Sequence, residues 1–357
     1  MIPRIVHVAS GREWRGGQNQ VWLLARALER TGAVRQVVVT STGSELERRL
    51  AASGVPVHPT GWRAALDPRA LWATAREARR EPAILHAHDA HALTLAGLAS
   101  SISASRLLAT RRLDFHLRRP GYWVRAERVI AISGAVRKVL VEDGVDSARI
   151  TVIHSGIALN EVREIRPLAI RTRLALPVRA VLAVTVGALV PHKDQATLVS
   201  AASLLRTRLP DLHWLIAGEG ELRGSLQRQI AELGLEGRVH LLGHVPEAVR
   251  LIAEASLYVH SSFEEGLGTT ILDAMALGVP VVATEAGGVP EMIGGGAGLL
   301  APRRDPAALA GAMLRMMTDR QLAARSVARA TIEVQRFSDS GMADRMLSVY
   351  RSLVSVP

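Results

Sequence analysis

Two consecutive α/β domains, each a doubly wound parallel sheet, are the fold predicted for this 357-residue chain. Three observations predict it. Short apolar runs alternate with helix-length segments, which is the pattern of parallel βαβ units. The rhythm lapses once, around Asn160 to Val178, where Pro167 and Pro177 interrupt it, and then restarts. The length suits two domains that each bury a core. The boundaries that follow are residues 1–165 for the first domain and 166–338 for the second.

In the first half the strand-like runs are Ile5–Ala9, Val37–Thr40, Ile84–His88, Leu107–Thr110, Val129–Ser133 and Ile150–Ile153. In the second they are Leu182–Gly187, Trp214–Gly218, Val239–Leu242, Leu257–His260 and Val281–Thr284. No short-period repeat or low-complexity tract interrupts them. With 48% apolar and 22% charged residues the chain is globular and not disordered. The absence of cysteine excludes disulfides and thiolate metal sites, and a reducing cytoplasm fits it. MIPRIVHVAS enters a strand at once and does not read as a signal peptide, and no apolar run approaches the ~20 residues of a membrane span.

The net charge of +11 is unevenly placed. Residues 1–165 carry 24 Arg/Lys against 15 Asp/Glu, whereas 166–357 carry 20 against 18. A basic first half suggests an acidic surface or substrate: anionic lipid, a phosphorylated glycan or nucleic acid. A merely solvated Arg-rich surface is the other reading.

Taken in order, the first turn presents Arg15, Gly16, Gly17 and Gln18 before an apolar helix over Val21–Leu28. A glycine pair there permits an anionic or sugar group to approach backbone amides, although turns also use glycine for geometry alone. ILHAHDAHAL then sets His86 and His88 on one strand face, with Asp89 and His91 following. A metal site is the sharp alternative for this group. Between Arg106 and Arg128 stand seven Arg and two acids with Phe115, Tyr122 and Trp123, a mixture suited to a membrane interface or to single-stranded nucleic acid. Arg111 and Arg112 close the strand LLAT, so at least one is expected to point into the site.

In the second half Lys193 follows the strand that ends at Gly187, in a strand-to-helix loop where a positive side chain can offset negative charge on a ligand. Gly218 closes the next strand, and His244 and Val245 follow LLGHV. Ser261 to Thr284 (SSFEEGLGTTILDAMALGVPVVAT) reads as a strand-turn-helix, with a helix beginning near Thr269. Amides from Leu267 through Ile271 are expected to point outward at the positive end of its dipole, an anion site. Glu265 and Asp273 bracket that site and suit the hydroxyls of a nucleotide sugar.

The run EGLGTTILDAMALGVPVVA resembles the donor-site signature of glycosyltransferase family 4, retaining, nucleotide-sugar-dependent enzymes of the GT-B fold. Glu265, Gly266, Leu267, Gly268, Leu272, Ala274, Met275, Ala276, Gly278, Pro280, Val281, Val282 and Ala283 carry the match. Asp273 stands where the family has a second Glu, and Ala188 where it has Arg. In the end-of-domain run Ser133, Gly156 and Ile157 match, while Ser155 and Ala158 replace Asn and Asp.

The resemblance implies two Rossmann-like domains facing across a cleft, acceptor on the first and donor on the second, with a C-terminal helix (339–357) packing back on the first. It implies catalytic roles for Lys193, Glu265, His88 and Arg111. Donor binding falls to Gly17, Gly187, Gly218, His244, Val245, Gly266, Leu267, Gly268, Thr269, Thr270 and Asp273, and the acceptor side to Gly16, Asp89, His91 and Arg112. The reaction expected is sugar transfer to a glycan or lipid-linked acceptor in cell-envelope polysaccharide or lipopolysaccharide-type biosynthesis. No metal or other cofactor is expected. The expected location is the cytoplasm or the inner face of its membrane, with no nucleic-acid partner. Alternatives are a nucleotide-sugar epimerase of the same fold and a catalytically inactive nucleotide-sugar-binding subunit.

Overall fold

A computed structural model describes residues 4–62 and 66–354. It divides into two compact units: the described chain up to Ala158 together with the chain from Phe337 onward, and Leu159–Arg336.

The first unit contains β1 (Arg4–Ala9), β2 (Gln36–Ser41), β3 (Val57–Thr60), β4 (Ala83–Ala87), β5 (Arg106–Arg111), β6 (Arg128–Ala131) and β7 (Ile150–Val152). All pair in parallel, in the order β3-β2-β1-β4-β5-β6-β7. The second unit contains β8 (Val181–Val186), β9 (Leu212–Ala217), β10 (Val239–Gly243), β11 (Leu257–His260), β12 (Val281–Thr284) and β13 (Leu299–Ala301). These strands form a second parallel sheet, β10-β9-β8-β11-β12-β13. The two doubly wound sheets expected from the alternating pattern are thus both present.

The central strands are apolar on both faces because helices cover both sides. Ile5, Val6 and Val8 of β1 are buried in the first unit, and Trp214, Leu215 and Ile216 of β9 in the second. The final helix, Asp339–Val354, places Met342, Met346 and Tyr350 on one stripe at four-residue spacing. That stripe packs with Leu24, Leu28, Ile84 and Leu108 in the first unit's core. Arg30 secures the start of this helix through Asp339, at 2.6 Å.

The strand orders locate the chemistry. Each sheet reverses its winding once, between β1 and β4 in the first unit and between β8 and β11 in the second. At such a switch point neighbouring loops leave in opposite directions and open a crevice at the carboxyl ends of the strands.

Candidate functional site

The second unit's switch point is built from the loop after β8 and the loop after β11. The β11 loop runs from Ser261 to Gly268 and enters the helix Thr269–Ala276. Gly268 sits in the left-handed region (φ 86°), where a Cβ would also approach Glu265 Cγ to 3.3 Å. Because Gly268 offers no capping side chain, the amides of Leu267, Gly268, Thr269 and Thr270 have no acceptor among the described residues. The amide of Ile271 differs from expectation, since it is returned to the Gly268 carbonyl at 3.0 Å. From β11 the buried Tyr258 hydroxyl donates to Thr270 Oγ1 at 2.6 Å and fixes the helix's first turn.

Lys193 ends the short 3-10 turn Pro191–Lys193 that follows β8, and its ammonium donates to Glu265 Oε2. The same oxygen meets His260 Nε2 at 2.9 Å and accepts from Ser262 Oγ at 3.2 Å. Burial alone would raise the Glu265 carboxyl, but Lys193 and His260 together hold it well below the usual carboxylate range. Glu265 is therefore an anion that positions an ammonium beside an amide-lined helix end.

Asp273 is half-buried, and no hydrogen bond or ion pair engages its carboxylate among the described residues. Burial without a cationic partner pushes it up to about 7. Gly266 and Leu267 are buried within the turn. Gly187 lies against the Lys193 stem, where a Cβ would be 3.7 Å from Lys193 Cδ. Gly218 has a packing role of its own, since a Cβ there would fall 1.9 Å from the Gly187 carbonyl oxygen. His244 is exposed and Val245 half-buried in the loop after β10.

At the first unit's switch point, β1 and β4 bring His7 level with His86, and His88 follows at the end of β4. Rings of all three are buried. His86 meets the Tyr350 hydroxyl at 2.8 Å and Thr110 Oγ1 at 2.7 Å. His88 Nε2 lies 2.9 Å from His7 Nδ1, and its Nδ1 lies 3.4 Å from Arg112.

A guanidinium can only donate, so His88 Nδ1 accepts and the His88 proton resides on Nε2. That proton is given to His7 Nδ1, which leaves the His7 proton on Nε2, facing the Gln36 side chain. Burial drives all three imidazoles toward the neutral form, taking His7 down to about 4, and the mutual repulsion of the rings adds to it for His86 and His88. Arg112, pushed down to about 10 by burial against the opposing field of Asp89, remains a cation at neutral pH.

Other expected residues in this unit are placed differently. Arg111 is turned from the histidines: its guanidinium donates to the Phe115 carbonyl at 2.6 Å and lies over the Trp123 ring at 5.5 Å. Successive strand residues point to opposite faces, so Arg112, and not Arg111, reaches His88. Asp89 is committed to structure, accepting from Ser10 N and from Ala92 N, each at 2.8 Å. His91 is exposed. Gly16 opens the helix Gly16–Thr31, and Gly17 lies beside the Arg112 stem, 3.9 Å from where its Cβ would stand.

The metal alternative gathers different residues from those the sequence suggested. Ligand atoms of His7, His86 and His88 lie within 4.8 Å of one another. Both His86 nitrogens already hold hydroxyls and a guanidinium covers His88 Nδ1, so this donor set is organised for hydrogen bonding.

Sequence reasoning missed His7, His260, Tyr258 and Ser262. The signal available was a polar ring in an otherwise apolar central strand: His7 in RIVHVA and His260 in LYVH.

Two family models match the chain. "Glycosyltransferase Family 4" covers residues 14–161, and "Glycosyl transferases group 1" covers residues 169–332. Among curated relatives, the amylovoran biosynthesis glycosyltransferase AmsK of Erwinia amylovora is 29% identical over 226 residues, covering 61% of this chain and 53% of that protein. The lipopolysaccharide core biosynthesis glycosyltransferase LpsE of Rhizobium meliloti is 31% identical over 185 residues, covering 51% and 53%. The matched stretch thus spans about half the length of these relatives. Among solved structures, Anabaena HepE in complex with UDP-glucose superposes with a TM-score of 0.86 at 23% identity, over 98% of this chain and 100% of that one. These matches join the strand orders and the Ser261–Ala276 turn and helix in one conclusion: the chain belongs to glycosyltransferase family 4 and has the GT-B fold.

Proposed function

We propose that this chain moves a sugar from a nucleotide-diphosphate donor, with retention at the anomeric carbon, to a glycan or lipid-linked acceptor in cell-envelope polysaccharide biosynthesis. The observation that carries the reading is the second unit's helix end. Amides without acceptors from Leu267 to Thr270 and the Lys193 ammonium are what a diphosphate requires, and the partnerless Asp273 suits sugar hydroxyls.

As the diphosphate departs, charge grows on its oxygens. Preorganised donors stabilise that charge because they need no reorientation at the moment of reaction. Glu265, Ser262 and His260 hold Lys193 for this task. On the first unit Arg112, oriented by His88, is read as the cation on the acceptor side. Arg111 is withdrawn from the catalytic set because its guanidinium is engaged elsewhere.

HepE is solved with UDP and with UDP-glucose, which supports a nucleotide-sugar donor here. AmsK and LpsE, named for amylovoran and lipopolysaccharide core biosynthesis, support a cell-envelope acceptor. The reading places the protein in the cytoplasm, attached peripherally at the membrane's inner face, with no metal requirement. No described helix is long and apolar enough to cross a membrane.

The test is incubation with UDP-, GDP- and ADP-sugars, with and without membrane extract, following both nucleoside diphosphate release and the sugar's fate. Release that depends on extract, with an α-linked product from an α-linked donor, is expected. Sugar inversion at a ring carbon without acceptor would indicate the epimerase instead, and donor binding without turnover the inactive subunit.

A further inference from the structure

The helix Pro68–Arg79 packs onto the first unit's sheet through Ala70, Ala73, Thr74 and Glu77. Its opposite face carries Trp72, which is 62% exposed. Leu66, just before the helix, is 55% exposed, and Ile102, near the end of the helix Ala90–Ser103, is 52% exposed. Trp72 and Ile102 line one groove, and large apolar side chains left in water together mark an interaction surface. Between the two helices runs a groove of about 440 Å³, lined by Leu71, Trp72, Ala75, Arg76, Arg79 and Ile102.

The rim of this groove is cationic. Arg69, Arg76, Arg79 and Arg80 are all exposed. Arg76 lies over the Trp72 ring at 5.2 Å, and Arg79 donates to the Ile102 carbonyl at 2.7 Å, joining the two helices across the groove. Glu77, the one acid within these two helices, is buried and meets Arg4 at 2.6 Å and His58 at 2.9 Å. The exposed face therefore combines an apolar centre with Arg69, Arg76 and Arg79 and no exposed acid of its own, while Arg80 reaches back to Glu77 at 3.2 Å.

The Arg106–Arg128 segment exposes Leu113 and Phe115 beside Arg118, Arg119 and Arg125, but it also carries two acids, of which the exposed Glu127 pairs with Arg106 at 2.8 Å. Trp123 is 6% exposed, and Tyr122 packs so closely on Gly97 that a Cβ there would come within 2.3 Å of its ring. Of the aromatics expected to meet lipid, Tyr122 and Trp123 are turned inward and Phe115 alone, 42% exposed, faces out.

We propose that the Trp72 groove docks the first unit on an anionic bilayer. Trp72 and Ile102 enter the boundary between headgroups and acyl chains, and the arginines around them pair with lipid phosphates while their stems lie along the apolar surface. Charge complementarity selects this occupant: a cationic rim lacking acids meets a uniformly negative plane, and stable attachment needs both apolar insertion and a basic patch. The proposal rests on the peripheral attachment read for this protein and assigns that attachment to a different surface.

The full chain is sedimented with vesicles of phosphatidylcholine alone and with about 30% phosphatidylglycerol, at low and at high salt. The parent should pellet with anionic vesicles at low salt and be released by salt. Trp72→Ala, and separately Arg69→Gln with Arg76→Gln, should each weaken that binding about tenfold or more. Arg118→Gln with Arg119→Gln and Arg125→Gln should leave it unchanged. These side chains are exposed, so unchanged melting temperatures confirm folded variants.

Absence of pelleting, binding unaffected at Trp72, or loss only in the Arg118 set would each overturn the proposal, as would capture of RNA in place of vesicles. Nucleoside diphosphate binding, measured in solution on the same samples, separates this failure from failure of the transferase reading.

Discussion

Lys193 donates its ammonium to Glu265 Oε2 within the second unit, and His260 Nε2 reaches the same oxygen at 2.9 Å from the strand behind. The two residues singled out separately in the sequence act as one device. In the proposed reaction Glu265 prepays the orientation of a long, flexible side chain, so that Lys193 is already aimed when charge develops. Lys193→Ala should lower kcat about 100-fold or more with a smaller change in donor KM. Glu265→Gln should lower kcat less, and the double variant should be no worse than Lys193→Ala alone. Additive losses in kcat would show that the two residues act separately.

Asp273 supplies a pH dependence. Burial without a partner raises its carboxyl to about 7, and only the ionised form is a pure acceptor for sugar hydroxyls. Nucleotide affinity should therefore rise with pH up to about 7 and level off above it, with proton release on binding just below that pH. Calorimetry in buffers of different ionisation enthalpy measures the release. Asp273→Asn should abolish both the release and the pH dependence; their persistence in that variant would place the titrating group elsewhere.

The three buried histidines make the first unit acid-sensitive. Their folded-state values lie below the unfolded 6.5, so the stability they confer is complete above pH 6.5 and is lost as pH falls toward their folded values. For His7, held at about 4, the loss by pH 4 is about 3 kcal/mol. Denaturant titrations of the parent and of His7→Gln between pH 7 and about 4 check this, and the variant should show the shallower decline. Equal slopes would remove His7 from the account.

Gly268 holds the left-handed conformation that turns the chain into the helix. Gly268→Ala should cost the second unit about 1–2 kcal/mol. It should also weaken diphosphate binding, because Glu265 Cγ stands 3.3 Å from the new methyl group. Chemical denaturation together with nucleotide titration tests both; full affinity in the variant would mean the turn's amides do not hold the ligand.

Much of the architecture was legible because central strands of a doubly wound sheet are continuous apolar runs with helices between them. The two strands that escaped, β3 with Pro59 and β13 with three residues, are both sheet edges. An edge strand is covered less and carries less of that signature, and it tolerates proline. The Glu265–Asp273 turn was legible from its glycines and its helix period. His7 was not, because its role depends on which strand lies beside β1, and parallel pairing with β4 joins residues 79 positions apart. The direction of Arg111 was lost for the same kind of reason: one step along a strand exchanges the two faces, and the sequence offered two arginines in succession.

The central claim is that the helix end at Gly268–Thr270, with Lys193 and Asp273, holds a nucleoside diphosphate. Thermal unfolding of the parent chain with UDP, GDP or ADP tests it most directly. At about 100 times its dissociation constant a bound nucleotide adds about 2.7 kcal/mol, a rise in Tm of about 5–10 °C for a unit of this size. The account predicts such a rise with at least one of the three, reduced with its 2′-deoxy form and in Asp273→Asn. No rise with any nucleoside diphosphate at millimolar concentration, or an equal rise with ribose and deoxyribose forms, would contradict it.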